Sequence, residues 1–90
     1  MNPPPLLALT TVLALAACVP SHPSCTDEAT TIAYGKAWTE ALLAAARAGR
    51  ITPDQTKEAD QTITELGTPD YRAPGPFCRK LDEVRARLKF

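Results

Sequence analysis

The chain has 90 residues, with ten Lys+Arg against ten Asp+Glu and no formal net charge. At roughly 100–200 residues per domain, that is at most one small domain. The balance excludes a broadly basic nucleic-acid binder and an acidic interaction tail. Every charged residue lies from Asp27 to Lys89, so an uncharged leader precedes a charged body.

Residues 6–17, LLALTTVLALAA, form an apolar run broken only by Thr10 and Thr11. The run is shorter than the roughly 18 or more residues of a membrane-spanning helix, and it suits the apolar core of a secretory signal. It closes in Leu15-Ala16-Ala17-Cys18. This ending resembles the lipobox of bacterial lipoproteins: a Leu, two small residues that fit a peptidase, and a Cys whose thiol accepts a diacylglycerol. The resemblance implies that residues 1–17 are a cleaved signal peptide. It implies that Cys18 becomes the acylated, palmitate-carrying amino terminus, anchored in a membrane and facing the periplasm. Val19 rather than Asp after the Cys points to the outer membrane under enteric-type sorting. One feature departs from the pattern, because Met1-Asn2-Pro3-Pro4-Pro5 carries no Lys or Arg. The alternative is a buried apolar helix with a chance cysteine.

The chain has three cysteines, Cys18, Cys25 and Cys78. An odd count in an exported protein leaves one to be explained. With Cys18 acylated an even pair remains, and an oxidising compartment favours a Cys25–Cys78 disulfide.

Residues 18–25 read as a short lipidated tether. His22 stands alone there, with no second ligand at metal-binding spacing, and is expected to be solvated. The body, residues 26–90, reads as a helical domain.

A first helix is expected over residues 26–48, capped by Thr26, with Asp27 and Glu28 favoured near its positive end. Tyr34, Trp38, Ala41, Leu42, Ala45 and Ala48 recur on one face of a 3.6-residue helix. Gly49 is the expected stop. Thr52-Pro53-Asp54-Gln55 then carries a capping-box pattern with Pro at the first helical position. Thr56, Ala59, Ile63 and Leu66 mark the inner face of this second helix, and Gly67 ends it. Residues 68–76 hold three prolines and read as a loop, with Tyr71 folding back. A third helix is expected from about Pro76, with Phe77, Leu81, Val84 and Leu88 inward.

The fold expected is all-α: a small antiparallel three-helix bundle stapled by one disulfide. Short connections force antiparallel neighbours. In an up-down-up order Cys25 and Cys78 lie at the same end. Charge is uneven: residues 54–70 are acidic, while Arg79, Lys80, Arg85, Arg87 and Lys89 make the third helix basic. Mutual attraction within the bundle explains this first, and contact with anionic headgroups second.

Site chemistry is sparse. The single histidine lies in the tether, and no nucleophile elbow, phosphate-cradling Gly loop or Cys-x-x-Cys pair occurs. Asp54 and Glu58 share a helix face but read as surface acids. No catalytic residue, metal or cofactor is expected.

The expected function is a non-enzymatic, membrane-anchored binding module for another envelope protein. The alternatives are a periplasmic enzyme inhibitor, or a lysis or entry-exclusion lipoprotein of a phage or mobile element. The candidate contact residues are Tyr34, Trp38, Tyr71, Arg79, Lys80, Arg85 and Arg87. Aromatics anchor interfaces when exposed, but Tyr34 and Trp38 read first as core.

Overall fold

The computed structural model describes residues 21–90, so Cys18 and the apolar leader lie outside the described residues. Three helices follow one another: α1 Glu28–Arg47, α2 Pro53–Leu66 and α3 Gly75–Leu88. The described residues contain no strand, only an isolated bridge between His22 and Cys25.

The cap of α1 lies one residue later than expected. Asp27, not Thr26, caps the helix: its carboxylate accepts the Thr30 N–H at 2.9 Å, and the Thr30 hydroxyl oxygen accepts the Asp27 N–H at 3.1 Å. A carboxylate satisfies an orphan N–H and also complements the helix dipole, so it wins over the neighbouring hydroxyl. The backbone and side-chain hydrogen bonds from Thr30 hold the Asp27 carboxyl below its ordinary range. The helix ends at Arg47, with Ala48 as its cap and Gly49 in the left-handed region at φ 72°. Ala48 is consequently exposed rather than part of the inner face.

The capping box of α2 forms as its residues specify. Thr52 accepts the Gln55 N–H at 3.1 Å, and Gln55 accepts the Thr52 N–H at 2.8 Å. Gly67 closes the helix at φ 67°, a conformation that costs residues with a Cβ. The third helix starts at Gly75 with no side-chain cap, and Pro76 occupies the first turn, where a missing N–H is tolerated.

The core joins Trp38, Leu42 and Ala45 of α1, Ala59 of α2, and Leu81, Val84 and Leu88 of α3. Ile51, in the connection between α1 and α2, closes one end of it. Ala45 and Ala59 are completely buried, which lets α1 and α2 approach the third helix closely. Trp38 is 2% exposed, and its indole N–H donates to the Leu81 carbonyl at 2.8 Å. Phe90 packs edge-on against Trp38, with ring centroids 5.2 Å apart.

The Cys25–Cys78 disulfide is present, joining the starts of α1 and α3 across a Cα–Cα distance of 6.6 Å. Glu58, near the start of α2, pairs with Arg87, near the end of α3. Both contacts are consistent with an antiparallel order. Linking residues 53 apart is worth about 4 kcal/mol in the loop-entropy model, on the scale of the 3–5 kcal/mol a core of this size supplies. The double variant Cys25→Ser, Cys78→Ser should therefore lose about 2–5 kcal/mol in urea denaturation. An unchanged midpoint, in the variant and in the wild type under reductant, would reject the staple as a source of stability.

Candidate functional site

The polar chemistry of the domain gathers at the stapled end. The turn at residues 22–25 folds back on itself, with the Cys25 N–H donating to the His22 carbonyl at 3.3 Å. His22 is buried, which corrects the expectation of a solvated tether residue. Its Nε2 lies 2.6 Å from Asp82 Oδ2, and its Nδ1 accepts the Ser24 N–H at 3.1 Å. Its ring meets Tyr34 edge-on at 4.9 Å between centroids. The Tyr34 hydroxyl donates to the other oxygen of Asp82, Oδ1. One carboxylate from α3 thus receives a tyrosine from α1 and a histidine from the segment ahead of α1.

The physical cause is the staple. Asp82 lies four residues after Cys78, on the same face of α3. Bonding Cys25 to Cys78 sets His22, three residues earlier, beside that face. Of the segment expected as a tether, His22 and Cys25 are both packed into the domain.

Burial alone would raise the Asp82 carboxyl. The hydrogen bonds from Tyr34 and His22, with the positive charge of Arg79, outweigh it and hold the group below its ordinary range. The Tyr34 hydroxyl is pushed up, first by its bond to Asp82 and then by desolvation.

This arrangement holds groups together rather than activating one. The Ser24 N–H at Nδ1 places the imidazole proton on Nε2, where Asp82 accepts it. Both ring nitrogens are engaged within the domain. Cys25 and Cys78 are oxidised to each other and offer no thiolate. Among the described residues, no group of three metal-ligating side chains is assembled.

Of the candidate residues, Tyr34 sits in this cluster, and the charges of Arg79 and Arg85 act on it. Trp38 belongs to the core, which removes it from the candidate contact face. Tyr34 is half-buried and committed to Asp82. Tyr71 is half-buried in a loop where Asp70 accepts the Arg72 N–H at 3.0 Å, an Asx turn. Arg79 is exposed. Lys80 pairs with Glu83 at 3.3 Å, Arg85 lies over the Phe90 ring at 5.8 Å, and Arg87 pairs with Glu58 at 2.7 Å. An open cleft of about 390 Å³ lies between residues 21–26 and the loop at 72–75, with Arg72 among its lining residues.

His22 and Asp82 are the residues that sequence reasoning missed. A signal for both existed: the expected disulfide already placed Cys25 on Cys78, and Asp82 follows Cys78 by one turn.

No protein-family model, curated protein or solved structure matches this chain.

The cluster sets a definite pH response. A lowered Asp82 contributes stability that is complete above about pH 4 and is lost as the pH falls through its folded value. A raised Tyr34 contributes stability that is complete below about pH 10 and is lost as the pH rises through its folded value. Urea midpoints across pH should therefore fall at both ends, and Asp82→Asn should flatten the acid limb. Parallel acid limbs in wild type and variant would remove Asp82 from this role.

Proposed function

We propose that this protein is a small lipoprotein of the bacterial envelope, acylated at Cys18 and facing the periplasm from the outer membrane. It acts there as a non-enzymatic helical module that binds another envelope protein. The observation that carries the reading is Leu15-Ala16-Ala17-Cys18 at the end of an apolar run, immediately ahead of the stapled bundle. Cysteine use supports it. With Cys25 and Cys78 joined, Cys18 is the one cysteine left for acylation.

The latch at His22 adds a geometric consequence. Residues 19–25 as a free tether would reach about 25 Å, but the domain holds the chain from His22 onward. Four peptide units then separate the acylated residue from the bundle, about 14 Å at full extension. A domain so held meets partners at the same membrane surface and keeps its stapled end within about 14 Å of the lipid. Headgroup attraction is not what this reading rests on. Arg85 and Arg87 sit in the last turn of α3, a helix about 20 Å long whose start lies at the stapled end.

Cys18→Ser should abolish acylation and release the protein from membranes into the soluble periplasmic fraction. Intact-mass spectrometry of the wild type should show the mass of diacylglycerol and acyl chains on a chain beginning at Cys18. An unmodified Cys18 in envelope-derived protein would overturn the anchor. If the anchor stands, cross-linking in intact envelopes should capture the same partner with wild type and lose it with Cys18→Ser.

A further inference from the structure

The inner face of α1 is spent on the core, but its outer face carries the two exposed large apolar residues of the domain, Ile32 at 53% and Leu43 at 44% exposure. They are eleven residues apart, which is three turns and about 16 Å along one side of the helix. Lys36, Glu40 and Arg47 flank this side on one edge and Glu28 on the other, in the chain order Glu28, Lys36, Glu40, Arg47. None of the four takes part in the ion pairs found among the described residues.

The order of signs is negative, positive, negative, positive. Read backwards it is inverted at every position. In a second copy of the same helix, laid antiparallel about a two-fold axis between Ala37 and Trp38, Lys36 faces Glu40 and Ile32 packs on Leu43, while Glu28 and Arg47, about 100° apart around the helix, stand on opposite flanks. Two-fold symmetry makes each contact occur twice. Parallel pairing would oppose Glu28 to Glu28, Lys36 to Lys36, Glu40 to Glu40 and Arg47 to Arg47, all repulsive.

We infer that the outer face of α1 is a self-association surface, on which two copies of this chain pair antiparallel through Ile32, Leu43 and the reciprocal Lys36–Glu40 pairs. The inference does not depend on the anchor. A face about 30 Å long is at the small end of stable interfaces, so the pairing is weak in dilute solution. Confinement of both copies to one surface raises their effective concentration and strengthens it. The two-fold axis stands perpendicular to both helices, so a pair lying with that axis along a membrane normal keeps both amino-terminal segments on the same membrane.

Sedimentation equilibrium of the full chain in density-matched detergent tests this. The wild type should show a monomer–dimer equilibrium. Leu43→Lys should weaken it roughly tenfold or more, and Lys36→Glu or Glu40→Lys alone at least about fivefold. The double variant Lys36→Glu, Glu40→Lys should return to within about twofold of wild type, because the antiparallel pairs are restored with signs exchanged. All three positions of substitution are solvent-facing, and unchanged helical circular dichroism verifies that each variant folds. A wild type that stays monomeric at about 1 mM overturns the inference. So does a double variant as weak as either single one, or association indifferent to Leu43→Lys, since either outcome places the contact elsewhere.

Discussion

The Cys25–Cys78 bridge is the constraint on which the rest of this structure depends. It joins the start of the first helix to the start of the third, 53 residues later. A chain this short buries too little apolar surface to offset its conformational entropy comfortably. Closing that loop removes many of the unfolded conformations that compete with the bundle. It also decides local geometry: with Cys25 seated on α3, the residues ahead of α1 cannot swing away, and His22 comes within hydrogen-bonding reach of Asp82.

The polar groups that follow from this placement are satisfied as a set. The Trp38 indole finds the Leu81 carbonyl, the Tyr34 hydroxyl and His22 share Asp82, and the Thr31 hydroxyl bonds back to the Asp27 carbonyl at 2.6 Å. Among the described residues, no buried side-chain nitrogen or oxygen lacks a partner. Such satisfaction matters because an unpaired buried polar group costs about 1–3 kcal/mol, a large fraction of a small domain's stability. The cluster therefore reads as a latch that extends the fold ahead of the first helix.

The charges divide by helix. The acid of α2 and the base of α3 meet in one exposed pair, Glu58 with Arg87, worth at most about 1 kcal/mol. This places the attraction between the acidic and basic helices inside the bundle. Among the described residues the charges of α1 enter no ion pair. The positions of Lys36 and Glu40 on either side of the helix midpoint make that face complementary to itself.

Much of the fold was legible from residue order because it rests on local rules. Thr52-Pro53 with Gln55 specifies a helix start through its own hydrogen bonds, Gly49 and Gly67 specify stops through left-handed backbone, and Leu81, Val84 and Leu88 specify a buried face by spacing. The odd cysteine count, read beside the lipobox-like ending at Cys18, pointed to the bridge. Tertiary structure decided what local rules do not reach. Asp27 displaced Thr26 as the cap because two neighbouring candidates competed for one N–H. Ile51 entered the core from a connection that carries no periodicity. His22 left the expected tether for the interior because its acceptor lies 60 residues away on a helix that reads as solvated. Spacing along a chain reports which side chains share a face. It does not report which distant face they meet, and that depends on how the staple and the core set three helices together.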